Sequence, residues 1–381
     1  MSEPADGNAA AARLPELDGL RAIAVLLVLA AHNLCCLPVA GLRWVGERGW
    51  IGVDLFFVLS GFLIGGILLD HRPAKNYYQT FYLRRFLRIV PLYAVLVLPG
   101  LLVLSFGWQH YFRGHALAGE SVGGAWLCVF FVQNFSSLLH WELPRYLVPT
   151  WSVAVEEQFY LLLPPLVRHL DARKLPWLLV PAIVFAPLLR GAMFLAYGGL
   201  VARSGYTLLP CRWDSLLLGV LCALAYRQPG FRQWVAARLR AARIFWLLAV
   251  VVSMAWLSWT RDRLDPRLEI FGYTMIDLCF ASTLLLAVLN PPGILHRVLS
   301  WPGFKPVAAI SYALYLLHSP MLGVVESLFR FAHVECDKIS WTEGGLAAVS
   351  LAATVLVSAW SWKFLERPMI RLGHQQRYQS N

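Results

Sequence analysis

Apolar residues collect along this chain in runs near 22–40, 50–69, 87–106, 177–198, 211–226, 244–260, 270–290, 307–330 and 343–365. A helix needs about 20 predominantly apolar residues to cross the hydrocarbon core of a bilayer, so the pattern predicts an all-α, polytopic membrane protein. The run at 211–226 is short and would need Arg212 and Arg227 to reach the interface along their stems. Two weaker runs, 123–139 and 151–167, come after the third strong one.

Basic residues decide how these runs are threaded. The segments 70–88 (Arg72, Lys75, Arg84, Arg85, Arg88), 227–243 (Arg227, Arg232, Arg238, Arg240, Arg243) and 168–174 are rich in Lys and Arg, as is the C-terminal tail. The positive-inside rule puts all four in the cytoplasm and residues 107–122 outside. Only an odd number of crossings then separates 107–122 from 168–174. One segment within 123–167 is therefore expected to be re-entrant or interfacial, which is tolerated against protein or a polar cavity. The expectation is about ten transmembrane helices with both termini cytoplasmic. Residues 1–15 read as a mobile Ala-rich segment, 16–370 as one membrane domain without internal repeats, and 371–381 as a basic cytoplasmic tail.

Composition supports this and removes alternatives. The chain is 58% hydrophobic and 14% charged, with a mean hydropathy of +0.58, too little charge to cover a soluble protein of 381 residues. Sixteen Trp and fourteen Tyr suit interfacial belts. The net charge of +11 is loop charge between apolar segments, so no nucleic-acid partner is expected. Seven cysteines show neither CxxC nor Cys/His ligand spacing, which predicts no disulfide framework and no metal site. Acidic Glu3, Asp6, Glu16 and Asp18 precede the first run, which reads as an uncleaved span.

Polar residues within the runs carry the candidate chemistry. In residues 17–32, LDGLRAIAVLLVLAAH, the eleven-residue spacing turns a helix through about three revolutions. Arg21 and His32 thus share a face, roughly 16 Å apart at ~1.5 Å rise per residue. An ionisable group at that depth marks a functional site by default. Asp54, near the outer end of GVDLFFVLSGFLI, would lie close to the depth of His32; it could orient the imidazole or cap its own helix, and the residues leave both readings open. Ser60 and Gly61 permit close helix approach. In FYLRRFLRIVPLY, Arg85 and Arg88 lie at i, i+3 and could clamp a phosphate, or anchor the span to anionic lipid. PTWSVAVEEQFYLLLP brings Glu156 and Tyr160 to one helix face. CRWDSLLLG offers a local Arg212–Asp214 pair, and ISYALYLLHSP lays Ser311, Tyr315 and His318 along one stripe. No G-x-S-x-G elbow, H-E-x-x-H or Walker loop is present.

Taken in order, DGLRAIAVLLVLAAH, GVDLFFVLSGFLI, YLRRFLRIVPLY, TWSVAVEEQFYLLLP, RWDSLLLG, ISYALYLLH and FLERP resemble the acyltransferase 3 family of integral-membrane O-acyltransferases. The resemblance runs from about residue 14 to 370. It implies a multi-pass protein of the bacterial plasma (inner) membrane that moves an acyl group, most often acetyl, from cytoplasmic acyl-CoA to a hydroxyl of a carbohydrate or glycolipid such as lipopolysaccharide or peptidoglycan. The family's Arg-x10-His pair falls on Arg21 and His32, its Arg-x-x-Arg motif on Arg85 and Arg88, and its Trp-Ser-x-x-x-Glu-x-x-Phe-Tyr motif on Trp151, Ser152, Glu156, Phe159 and Tyr160. Some members carry an additional SGNH hydrolase-like domain, and the chain reads as the form without one. The expected roles are catalysis by His32 with Arg21 and Glu156, donor binding by Arg85, Arg88 and Arg21, and acceptor binding by Tyr160, Trp151, Asp54 and His318. Acyl-CoA is the expected donor, without a metal. Two rivals stand beside this reading: a transmembrane acyl carrier serving a partner transferase, and a polysaccharide or solute transporter.

Overall fold

In a computed structural model of the chain, described over residues 14–35, 37–106, 122–198, 202–260, 263–290, 293–332 and 340–379, every regular element is helical. The helices are α1 (Pro15–Asn33), α2 (Ala40–Arg48), α3 (Ile51–Asp70), α4 (Tyr77–Ser105), α5 (Val122–Val129), α6 (Ser136–Leu139), α7 (Trp151–His169), α8 (Leu175–Tyr197) and α9 (Ala202–Thr207). They continue as α10 (Leu209–Arg227), α11 (Pro229–Ala237), α12 (Leu239–Trp259), α13 (Tyr273–Leu289), α14 (Ile294–Leu299), α15 (Phe304–Ala309), α16 (Ser311–Phe331), α17 (Trp341–Ser361) and α18 (Arg367–Gln375). Among the described residues, 7 helical stretches are long and apolar enough to cross a membrane. The protein is an all-α polytopic membrane protein. Residues 1–13, most of the segment expected to be mobile, and 107–121, most of the segment expected outside, lie outside the described residues.

Boundaries are set by local chemistry as well as hydropathy. α1 begins at Pro15, ahead of the apolar run, because proline suits the first helical position and Glu16 and Asp18 complement the helix dipole. The run at 307–330 is divided between α15 and α16, where the Ser311 hydroxyl donates to the Ala308 carbonyl at 2.9 Å. The run at 123–139 is broken: α5 has 8 residues, about 12 Å of helix against a hydrocarbon core of ~30 Å. Left-handed residues at Phe131 and His140 interrupt the chain between α5 and α7. By contrast, α7 is continuous over 19 residues.

Burial sorts the helices into a centre and a rim. In the apolar windows of α3 and the stretch containing α10, 72% and 78% of residues are buried, against 11% in α12. Large apolar side chains such as Leu195, Val251, Trp259 and Leu356 are exposed, as lipid-facing positions should be. Gly61 of α3 and Gly219 of α10 let the two central helices touch backbone to backbone: a Cβ at Gly61 would meet the Leu216 carbonyl, and one at Gly219 the Val58 carbonyl.

The four basic segments converge on one end of the bundle. Arg227 pairs with Asp70 at 2.6 Å. Tyr77 carries the Arg168 guanidinium at 5.4 Å, and Tyr78 bonds His169 at 3.2 Å. Residues 376–379 fold back on the start of α4. The opposite end is fastened by Arg48 donating to the Leu257 carbonyl at 3.0 Å and by Gln133 donating to the Thr150 carbonyl at 2.9 Å. Helix α7 therefore runs from that end to the basic one.

Candidate functional site

An internal cavity of about 220 Å³ tracks one stripe of α3, from Ile67 towards the basic end to Val53 towards the other. Val53, Phe56, Phe57, Ser60, Leu63, Ile64 and Ile67 line it at helical spacing, so the stripe extends over about 21 Å at ~1.5 Å per residue. Facing it are Arg21 of α1, Arg85 and Arg88 of α4, Ser152, Glu156 and Tyr160 of α7, and Ser311, Tyr312 and Tyr315 of α16. Five helices thus bring together residues almost 300 positions apart. The three arginines, Glu156, Tyr160 and Ser60 supply its polar lining, and most of the remaining lining residues are apolar.

The charged end is a concentrated arrangement. Arg88, Arg85 and Arg21 all act electrostatically on the Glu156 carboxylate, and Asp18 lies 3.8 Å from Arg21 one turn before it. Tyr160 donates to Glu156 at 2.9 Å, as the i, i+4 relation leads one to expect, and the Ser60 hydroxyl donates to Tyr160 at 2.6 Å. Glu157 adds its field at Arg85. Glu366, within the π-turn Trp362–Glu366 of the FLERP motif, adds its field at Arg88 and accepts from Ser361 at 3.1 Å. Three guanidiniums near a cavity mouth form a site for a polyanion, with buried carboxylates limiting their mutual repulsion.

The other end leads to a pair of imidazoles. In His32, Nδ1–H donates to the Val28 carbonyl at 2.9 Å, which assigns the lone pair to Nε2. In His318, Nδ1–H donates to the Tyr315 carbonyl at 2.6 Å. The two rings are 4.5 Å apart between centroids, and the Tyr315 ring is 5.9 Å from that of His318. His32 is thus linked to the cavity wall through His318 and Tyr315. The hydroxyl of Tyr315 donates to the Pro149 carbonyl at 2.8 Å and receives that of Ser152. Arg21 lines the cavity, and His32, eleven residues further along α1, adjoins it through His318 and Tyr315.

Two expected acceptor residues are placed elsewhere. Asp54 is fully buried in an ion pair with Arg212, so its carboxylate serves the α3–α10 contact and neither orients His32 nor caps α3. The expected local pair of Arg212 with Asp214 does not form, because residues two apart on a helix point to opposite faces. Asp214 instead holds Arg190 of α8 at 3.0 Å, and Thr274 donates to the same carboxylate at 2.6 Å. Trp151 packs edge-on against Phe57 at 6.0 Å and against Tyr206 at 4.8 Å, in an aromatic cluster with Trp50 and Tyr273. Of the residues named from the sequence, Arg21, Arg85, Arg88, Glu156 and Tyr160 line one cavity, and His32 and His318 adjoin it through Tyr315. Sequence reasoning passed over Tyr312 and Glu366; the latter stands in the FLERP motif, where its acidic side chain next to Arg367 was the available signal.

Comparison with known proteins identifies the family. A family model described as an acyltransferase domain, acyltransferase 3, matches residues 14–363. Peptidoglycan O-acetyltransferase OatA of Listeria monocytogenes is 28% identical over 371 residues, covering 94% of this chain and 56% of the relative. A putative peptidoglycan O-acetyltransferase of Bacillus subtilis, YrhL, is 27% identical, covering 93% and 55%. O-acetyltransferase OatA of Staphylococcus aureus is 26% identical, covering 94% and 58%. The chain spans a little over half the length of these curated relatives. No solved structure matches it.

Proposed function

The chain belongs to the acyltransferase 3 family, and from that premise we propose that it transfers an acetyl group from acetyl-CoA to a hydroxyl of a carbohydrate at the bacterial inner membrane. The observation that carries the reading is a cavity lined by three arginines and adjoined by an imidazole pair. Arg85, Arg88 and Arg21 bind donor phosphates from the cytoplasmic side, where the positive-inside rule puts the basic end. The donor's extended arm runs along the α3 stripe towards His32.

In the chemical step, His32 Nε2 takes the proton of the acceptor hydroxyl as its oxygen attacks the thioester carbonyl. The C–O ester bond forms, the C–S bond breaks, and the proton leaves with the thiolate as free thiol. Glu156, held by Tyr160, keeps the arginine mouth in register, and His318 flanks the acceptor oxygen. Peptidoglycan-type glycans are the first acceptors to test, given what the relatives' names state.

Sealed vesicles of defined orientation test the proposal. Radiolabelled acetyl-CoA presented to the basic face gives labelled glycan and free CoA; presented to the opposite face it gives neither. Label entering glycan equally from either face, or no CoA release by folded protein, contradicts the reading.

A further inference from the structure

Beyond the residues matched by the family model, the chain crosses the basic face of the bundle as a strap. The Gln376 carbonyl accepts from Arg84 Nη2 at 2.7 Å and Nε at 3.2 Å. The Arg377 carbonyl accepts from the Asn76 amide at 2.8 Å, and the Gln379 N–H donates to Asn76 Oδ1 at 2.9 Å. The Gln379 carbonyl accepts from the Lys75 N–H at 3.2 Å. Between these bonds, the Tyr378 ring lies 3.9 Å from that of His71 at an interplanar angle of 32°, with the Arg84 guanidinium 5.0 Å from its centroid.

This strap borders the arginine mouth. Arg84 is the neighbour of Arg85, and both guanidiniums act on the Tyr378 hydroxyl. His374, just before the strap, feels Arg84, Arg85 and Arg88. Residues 71–76 and 376–379 contain Arg72, Lys75 and Arg377 and no carboxylate; Asp70, the adjacent acid, is tied to Arg227. The cavity, at about 220 Å³, is below the ~300–1,000 Å³ usual for an enclosed small-molecule site. A narrow arm fits along the α3 stripe, and the strap lies beside the arginines, where a charged head would meet further cations.

We propose that residues 71–76 and 376–379 form the outer half of the donor site, a cationic seat for the phosphorylated nucleotide head, with Tyr378 as the positioning residue that staples the strap over His71 and against Arg84. The proposal rests on the acyl-CoA reading and adds to it the part of the chain that receives the head. Tyr378 touches no reacting atom; it fixes Arg84 and the backbone that carries Arg377.

The test compares two donors with full-length protein in nanodiscs of zwitterionic lipid: acetyl-CoA, and S-acetylpantetheine, which keeps the thioester and arm without the nucleotide. Tyr378→Ala raises KM for acetyl-CoA about tenfold, a loss of ~1.4 kcal/mol, with kcat and the acetylpantetheine KM unchanged. Tyr378→Phe retains wild-type values, because stacking does not need the hydroxyl. If Tyr378→Ala folds poorly, Lys75→Gln/Arg377→Gln, at exposed positions, gives the same donor-selective rise. Equal effects on both donors, or none, overturn the strap's role while leaving the acyl-CoA reading intact. Wild-type protein that binds neither acetyl-CoA nor adenosine 3′,5′-bisphosphate overturns both. An effect seen only with anionic lipid present, and the same for both donors, assigns the strap to lipid and overturns the proposal.

Discussion

Replacing His32 with alanine lowers kcat by about 10²–10⁴-fold, the usual contribution of a positioned general base, and leaves KM for the acyl donor near its wild-type value. Geometry gives the reason. The bond from Nδ1–H to the Val28 carbonyl fixes the ring and leaves Nε2 as the acceptor, while the cationic residues proposed to hold the donor line the cavity itself, which His32 only adjoins. On the proposed function, chemistry and donor binding separate along α1, with Arg21 at one station and His32 at the other. Loss of kcat without loss of donor affinity indicates an interaction made in the transition state. Steady-state kinetics on detergent-purified protein, with thermal unfolding as the folding control, checks it. A folded His32→Ala protein with wild-type kcat would move the base to another residue.

The second large effect concerns stability. Arg212→Ala costs about 3–5 kcal/mol, the penalty for removing one partner of a buried ion pair and leaving the other charge uncompensated. Asp54 and Arg212 are both fully buried between α3 and α10, the two most enclosed long helices, and Tyr273 carries the Arg212 guanidinium at 4.4 Å. The double variant Asp54→Leu/Arg212→Met recovers much of the loss, since apolar replacement of both partners is often neutral. Membrane abundance and the unfolding midpoint of the two variants, measured side by side, report the difference. Equal abundance of Arg212→Ala and wild type would mean that the pair does not hold the central contact.

Much of the fold was legible because bilayer crossing imposes a coarse, strong pattern. The runs that became α3, α4, α8, α12 and α17 announced themselves through length and hydropathy. The gathering of basic segments on one end was predictable from loop charge alone, and ion and ring contacts at Asp70, Tyr77 and Tyr78 agree with it. Features set by side-chain chemistry were harder to read. The break between α15 and α16 depends on Ser311 bonding back to Ala308, and the π-turn carrying Glu366 has no hydropathy signal.

The site was legible where its partners lie on one helix. Arg85 with Arg88, Glu156 with Tyr160, and Tyr315 with His318 are all within four residues, so helical geometry predicts their relation. Pairings between helices were not readable in this way. Asp54 and Arg212 are far apart in the chain, and nothing in either segment distinguishes a partner on α10 from one on α1. The strap was invisible for a related reason: its bonds all use its main chain, mostly carbonyls, which every residue possesses.

The central claim is that the arginine mouth binds the donor and His32 acts on it from a separate place. Equilibrium binding of acetyl-CoA to wild-type, Arg85→Gln/Arg88→Gln and His32→Ala proteins, purified in nanodiscs, tests this most directly. The account predicts that the arginine pair variant binds at least tenfold more weakly, a loss of ~1.4 kcal/mol or more, while His32→Ala binds like wild type. Unchanged affinity in the arginine variant, or an equal loss in the His32 variant, would contradict it.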